Sequence, residues 1–369
     1  MPAIFIISIL LLQGLLFLGH WFAYATIVVT FGVTDPTTLF VLQALFFALS
    51  LTFISANLIG FRYSNRFTRA FYFFSAYWIG LLYFLAITCG IFWIGANIAV
   101  AYGACTNLAS FGALALVIAL LTFFYGVVQA SSTKIVSIHV KLPHLPQHWV
   151  HKKTVFFSDM HLGNVRGRGF AAKTARLIRR VKPEAVFIGG DLFDGVKGNN
   201  DKLVAPLREL HPPHGVYFVA GNHEEFRDKE GFLGAVRRAG IRVLDNEKID
   251  LAGIQLVGVD YRDSVKKEDF AAILKKVAIS RAHPSILLKH VPADLDVAEA
   301  AGISLNLSGH THKGQMPPSS FVVWKIYGKF AYGLTKLGTM HSFTSSGVGT
   351  WGPPVRMGSR SEIIVVSFS

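Results

Sequence analysis

Five short apolar runs in the second half of this chain each end in side chains that can hold a metal ion. Thr154-Val155-Phe156-Phe157 leads to Asp159 and His161, and Ala185-Val186-Phe187-Ile188 leads to Asp191 and Asp194. Val216-Tyr217-Phe218-Val219 leads to Gly221-Asn222-His223-Glu224, and Ser285-Ile286-Leu287-Leu288 to Lys289-His290. Leu305-Asn306-Leu307 leads to Gly309-His310-Thr311-His312. One Asp-x-His pair is a weak signal, because many strands end in polar residues. Five run ends with the same oxygen and imidazole chemistry describe a single site. The β-branched and aromatic content makes each run a buried strand, and α/β sheets collect ligands beyond the carboxyl ends of their strands. In extended backbone, residues i and i+2 point to one side, so Asp159 and His161 are expected to grip the same cation.

The elements that must position these residues follow from periodicity. Lys134–Val140 alternates as a first strand, and Pro143 and Pro146 then interrupt regular structure. Helical patterns cover 170–181, 201–210, 228–239, Lys267–Val277 and 293–301, while the tail from Phe321 onward reads as strand-rich. Alternating strands and helices predict an α/β layered domain with a second sheet. Gly163 to Gly169 forms a flexible basic loop just after Asp159 and His161. Its Arg166 and Arg168 are candidates for holding a substrate anion by bidentate contact; the competing reading is a solvated basic loop facing a membrane. His144, His148 and His151 share no strand or helix spacing and read as polar surface. His283 precedes its strand, at the end away from the site, which favours His290 as the ligand. His211, His214 and His341 are read as uninvolved, with His341 in a loop-rich region within reach of the site.

Charge divides the chain in two. Of 369 residues, 52% are hydrophobic, and the formal net charge is +14. Residues 1–130 contain only Asp35, Arg62, Arg66 and Arg69 as charged groups, which leaves 33 of the 36 basic and 21 of the 22 acidic residues to the rest. A charge-poor apolar part followed by a charged part predicts a membrane region and a soluble region. Spans are expected over 3–31, 37–60, 70–98 and 107–130, with a turn between Gly103 and Asn107. The domains are then a transmembrane anchor, 1–130, a basic linker with the first strand, 131–153, and a catalytic domain, 154–369. Arg62, Arg66 and Arg69 follow span two, and Lys134, Lys141, Lys152 and Lys153 follow span four. The positive-inside rule then puts both termini and the soluble domain in the cytoplasm. His20, beside Trp21, Phe22 and Tyr24, reads as a packed or interfacial residue rather than part of an ion path. Cys89 and Cys105 both fall in the apolar half, so the soluble half has neither a disulfide nor a thiolate ligand.

The ordered set Asp-x-His, Gly-Asp-x-x-Asp, Gly-Asn-His-Glu, a strand-end His and Gly-His-Thr-His resembles the calcineurin-like metallophosphoesterase superfamily over residues 150–369. The anchor and the run Gly-His-Thr-His-Lys-Gly-Gln resemble its membrane-associated bacterial members. The resemblance implies an αββα sandwich of two mixed sheets holding two divalent metal ions. Asp159, His161, Asp191 and His312 would bind the first, and Asp191 would bridge to the second, completed by Asn222, His290 and His310. His223 would face the substrate as proton donor or transition-state stabiliser. Asp194 is read either as a cap or as support for a ligand, and Glu224 as supporting. The oxygen and imidazole donors suit Mn, Fe, Zn or Co, and two divalent cations outweigh two carboxylates, which favours an anionic phosphate substrate.

The leading expectation is a phosphohydrolase of the bacterial cytoplasmic membrane that cleaves a phosphoester or pyrophosphate. A sharper version makes the substrate lipid-linked, a UDP-diacylglucosamine-type pyrophosphate or a phospholipid. A nuclease or cyclic-nucleotide phosphodiesterase is the second enzyme reading, since basic domains also bind nucleic acid; an anionic lipid surface explains the charge better. A catalytically silent membrane scaffold is the third, and the complete ligand set argues against it.

Overall fold

The computed structural model describes residues 3–103, 107–196, 198–226 and 228–369. Cys105 and the centre of the turn expected after Gly103 lie outside the described residues. The chain divides into two compact units, Met1–Val128 with Gly352–Val355, and Gln129–Trp351 with Arg356–Ser369.

The first unit is built on four helices, α1 (Ala3–Phe31), α2 (Pro36–Arg62), α3 (Arg66–Ala101) and α4 (Leu108–Ser131), each long and apolar enough to cross a membrane. Their ends are set by local chemistry. The Asp35 carboxylate accepts the Thr38 N–H at 2.8 Å and Pro36 opens α2. Asn65 and Thr68 form a reciprocal capping box at the start of α3. α3 runs 36 residues, past both limits of the expected third span, and takes in Arg66 and Arg69 in its first turn. His20 is packed between helices: its Nδ1 lies 2.7 Å from the Leu16 carbonyl, and its Nε2 accepts the Trp78 indole N–H at 2.8 Å. Both ring nitrogens are satisfied, as burial in an apolar bundle requires.

The second unit holds two six-stranded mixed sheets. The first is ordered β1 (Lys134–Val140), β12 (Glu362–Phe368), β2 (Lys153–Phe157), β3 (Ala185–Ile188), β4 (Val216–Phe218), β5 (Arg242–Val243). The second is ordered β10 (Gly333–Leu337), β11 (Met340–Thr344), β9 (Leu305–Ser308), β8 (Ser285–Leu288), β7 (Ile254–Gly258), β6 (Glu247–Leu251). The strands β2, β3 and β4 are parallel, as are β7, β8 and β9. Strands of this kind are buried on both faces, which is why the runs are apolar without alternation.

The two faces nevertheless serve different layers. Phe156 and Phe187 share a core with Leu256, Ile286, Leu288, Leu305 and Leu307, which places this core between the sheets. Their neighbours Val155, Phe157, Val186 and Ile188 pack outward against Ala171, Ala175 and Ile178 of α5 (Arg168–Val181) and Phe232, Leu233 and Val236 of α7 (Lys229–Arg238). Val257 and Leu287 pack outward against Phe270 and Leu274 of α8 (Lys267–Val277) and Leu295 and Ala298 of α9 (Leu295–Ala300). The result is a four-layer αββα sandwich. Each fully buried Phe or Leu contributes about 1.5–3 kcal/mol, so the central layer alone strongly favours face-to-face packing.

Two segments differ from the sequence reading. The helix expected over 201–210 is split into α6 (Asn200–Val204) and a 3₁₀ turn, Ala205–Glu209, because Pro206 has no N–H to continue the ladder. The tail does not begin in strand: α10 (Ser319–Tyr327) comes first, and a 3₁₀ turn, Gly328–Ala331, separates it from β10.

Candidate metal centre

Asp159, His161, Asp191, His310 and His312 all have left-handed backbone, with φ between 48° and 68°. Asp159 and His161 therefore do not sit on extended chain, as the alternation argument supposed; β2 has ended at Phe157. A left-handed turn aims both side chains inward instead. For residues other than glycine this conformation costs roughly 1–2 kcal/mol each. Asp and His tolerate it better than most residues, and five of the seven candidate ligands share it.

These turns converge at the carboxyl ends of both sheets. Asp159, His161 and His312 bring ligand atoms within 4.8 Å of one another, and so do Asp191, His290 and His310. The groups touch: His161 Nε2 lies 3.1 Å from His312 Nε2 and 3.9 Å from Asp191 Oδ2. His290 Nε2 is 3.2 Å from Asp191 Oδ2 and 3.1 Å from Asn222 Oδ1, and His310 Nδ1 is 2.9 Å from the same Asn222 oxygen. His290 Nδ1 is held by the Gly189 carbonyl at 2.7 Å, which leaves Nε2 pointing at the carboxylate. A third group joins His161, Asp194 and His223. Asp194 Oδ1 lies 3.5 Å from His161 Nδ1 and 3.8 Å from His223 Nδ1, so it sits behind both rings and caps no helix.

Close backbone approach makes this possible. A Cβ at Gly221 would run into the Asp191 carboxylate, and one at Gly309 into Asp159 and Ser158. Asp159 accepts the Ser158 hydroxyl and the His310 N–H, the latter at 3.0 Å, joining the two sheets directly. Asp191 accepts the His223 N–H at 2.9 Å. Glu224 is wholly buried and accepts three main-chain N–H groups, from Gly221 at 2.7 Å and from Asp191 and Phe193 at 3.0 Å. It splints the loops that carry Asp191 and Asn222.

The electrostatics suit a cation. Burial opposes the charged form of His290, yet the Asp191 carboxylate, and then Asp159, carry its pKa up to about 9. Burial likewise opposes ionisation of Asp191, but His290, by charge and hydrogen bond, holds its carboxyl well below the usual range. Burial, then the neighbouring His290, presses His310 down to about 3, and burial, then His161, lowers His312. Both are thus neutral imidazoles, the form that binds metal. His161 Nδ1 and His223 Nδ1 are buried and make no hydrogen bond. Buried carboxylates and neutral imidazoles within reach of each other are a donor set that fits a borderline divalent cation.

Other sequence candidates lie outside these clusters. Arg166 is buried, donates to the Ala130 carbonyl at 2.9 Å and covers the Phe170 ring at 4.8 Å. Its loop is not open coil: Gly163 N–H bonds the Arg166 carbonyl at 2.8 Å, and Leu162 bridges to Arg166 and Phe193. Arg168 is exposed at the start of α5. His283 is exposed, and His341 lies in β11 opposite Leu305, outside the clusters rather than in a loop near them. His148 sits 3.0 Å from the Ala252 carbonyl, apart from the site. The residue that sequence reasoning missed is Arg356. It is fully buried, with its guanidinium donating to the Ser346 and Gly349 carbonyls at 2.5 and 2.7 Å and lying 3.3 Å from His312 Nδ1. Burial pulls its pKa down to about 10, which still leaves it a cation at neutral pH. No motif marks it, because Ser346, Gly349 and His312 are seven or more residues away in sequence.

Comparison with known proteins agrees with this geometry. Residues 152–314 match the family model described as calcineurin-like phosphoesterase. An uncharacterized metallophosphoesterase of Aquifex aeolicus is 33% identical over 57% of this chain and 82% of its own length. One from Helicobacter pylori is 36% identical over 57% of this chain, which spans only 58% of that relative. A "transmembrane protein with metallophosphoesterase domain" from Danio rerio is 30% identical over 68% of this chain and 61% of its own. The solved structure titled "GAP50 the anchor in the inner membrane complex of Plasmodium" matches 58% of this chain and 80% of its own at TM-score 0.38 and 13% identity, too distant to carry meaning here.

Proposed function

This chain belongs to the calcineurin-like phosphoesterase family, and on that premise we propose that it is a membrane-anchored phosphohydrolase using two divalent cations. The observation that carries this reading is the convergence of buried Asp and His clusters at one end of two sheets. Asp159, His161, Asp191 and His312 would hold one cation, and Asp191, Asn222, His290 and His310 the other. Such a pair supplies polarisation of a phosphoryl oxygen and activation of water at neutral pH. The remaining work belongs to the protein. His223, walled by the His161 and Phe226 rings at 4.5 Å, hands a proton or a hydrogen bond to the leaving oxygen, with Asp194 behind it. Glu224 holds the Asp191 loop rigid, and Arg356 fixes the loops around His312. Arg168 is the exposed candidate for gripping the rest of the substrate.

The substrate in this proposal is a phosphoester or pyrophosphate carried on a lipid. Four apolar helices keep the domain at a bilayer, and the basic soluble half favours anionic headgroups. Arg62 at the end of α2, Arg66 and Arg69 in the first turn of α3, and Lys134 after α4 support a cytoplasmic catalytic half. The test is metal analysis of the purified full chain together with turnover of an aryl phosphodiester. Bound metal and turnover are expected, both reduced in Asp191→Asn. A full chain that binds no metal, or an Asp191→Asn chain with normal metal and normal turnover, overturns the reading.

A further inference from the structure

One helix fastened to the candidate site leaves its apolar side chains in the open. α10 reads Ser-Ser-Phe-Val-Val-Trp-Lys-Ile-Tyr and has no buried residue. Phe321, Val322, Trp324 and Ile326 are exposed by 55, 53, 58 and 65%. Four exposed apolar side chains on one short helix mark an interaction surface. The charge beside it is one-sided. Between Glu299 and Glu362 the sequence has no acidic residue and six basic ones. Of these, Lys325, Lys329, Lys336 and Arg360 are exposed. Lys325 lies over the Phe321 ring at 5.0 Å and Lys329 over Phe330 at 5.1 Å, so both ammonium groups sit at the margin of the apolar patch.

Trp, Tyr and Lys interleaved with Phe, Val and Ile is the composition of a helix that lies in the bilayer interface, with lysine heads reaching back to the phosphates. Two facts choose this partner. The same chain carries four helices long and apolar enough to cross a membrane, which would keep lipid at high effective concentration without any new contact. The uninterrupted basic flank selects anionic headgroups, whereas a second copy would set the same positive charge against itself. We propose that α10 is a docking helix seated in an anionic phospholipid surface, its four apolar side chains below the headgroups.

The consequence reaches the site through direct contacts. Gly314 has φ +73°, and a Cβ there would strike the main chain of Ser320, so the loop carrying His312 lies against the first turn of α10. The Thr311 hydroxyl donates to the Ala331 carbonyl at 2.8 Å, and the Tyr327 ring meets His310 edge-on at 6.3 Å. Docking of α10 therefore holds the His310–His312 loop at the headgroup layer. The inference does not require the chain to be an enzyme, so it stands or falls apart from the phosphohydrolase reading.

The experiment uses the full chain with Cys89→Ala and Cys105→Ala, reconstituted one copy per nanodisc. A single cysteine at Ile326→Cys, or at Lys276→Cys on the exposed side of α8 as a control, carries an environment-sensitive fluorophore. In phosphatidylcholine–phosphatidylglycerol discs the Ile326→Cys label is expected to shift to the blue. It should lose several-fold more emission to nitroxide-tailed lipid than the control label does. Lys325→Glu with Lys329→Glu should shrink that difference, as should discs of phosphatidylcholine alone. Equal quenching of both labels by aqueous iodide overturns the proposal. Shielding that appears only with two copies per disc also overturns it, in favour of a self-association face.

Discussion

Replacing Glu224 by Ala is expected to unseat Asp191 without altering any candidate ligand. The three N–H groups that Glu224 accepts belong to Gly221, Asp191 and Phe193, all in the loops that deliver Asp191 and Asn222. Truncation strands three buried donors, each costing about 1–3 kcal/mol, so the first figure is roughly 3–6 kcal/mol after some relaxation. That is a large part of a domain stability on the order of 5–15 kcal/mol. At about 2–4 °C per kcal/mol for a domain of this size, the melting midpoint should fall on the order of 10 °C. Glu224→Gln keeps one acceptor oxygen but turns an amide donor toward another donor, so about 1–3 kcal/mol is expected. The assay is intrinsic-fluorescence melting of the full chain in detergent, with metal content measured in parallel. Midpoints are compared between variants only, because a chain of two units is not a two-state system. A Glu224→Ala protein that melts with the parent and retains the parent's metal would refute the splint.

His223→Ala should retain metal and slow turnover by about 10²–10⁴-fold, the range of general acid–base groups; metal loss instead would make His223 a ligand. Arg168→Ala is expected to raise KM for a pyrophosphate or diester more than for a small aryl phosphate, while unchanged kinetics on both would remove it from substrate binding. Arg166→Ala should act on stability first, through the lost bond to Ala130, and a normal melting curve would contradict that. Cysteines at Ser64 and Ser132 should both be shielded from an impermeant thiol reagent in intact cells; outside labelling of either would reverse the proposed topology.

Much of this molecule was legible because strand ends are written locally. An apolar run followed by a ligand-type residue can be read at Phe157, Ile188 and Leu288 without knowing what each strand pairs with. The left-handed backbone at Asp159 and His161 was not legible, since no propensity demands φ near 50° of those residues; the converging loops impose it. Arg356 was invisible because its role is set by carbonyls of Ser346 and Gly349 and by His312, partners brought near only by folding. α10 was misread for a different reason. Phe321-Val322-Val323-Trp324 has β-type composition, yet Pro318 before it and Gly328 after it, with φ +54°, are a helix start and stop that outweigh composition.

The His310 amide bonded to Asp159, and the His290 ring bonded to the Gly189 carbonyl, are threads sewn between the two sheets at one rim. An apolar layer permits sliding, since its attraction has no preferred register, but these polar contacts do not. Amide exchange should therefore show β2, β3, β8 and β9 opening together as one cooperative unit rather than sheet by sheet. Cutting a thread, for instance with Asp159→Ala, should split that single exchange regime into two before it lowers the stability of either sheet.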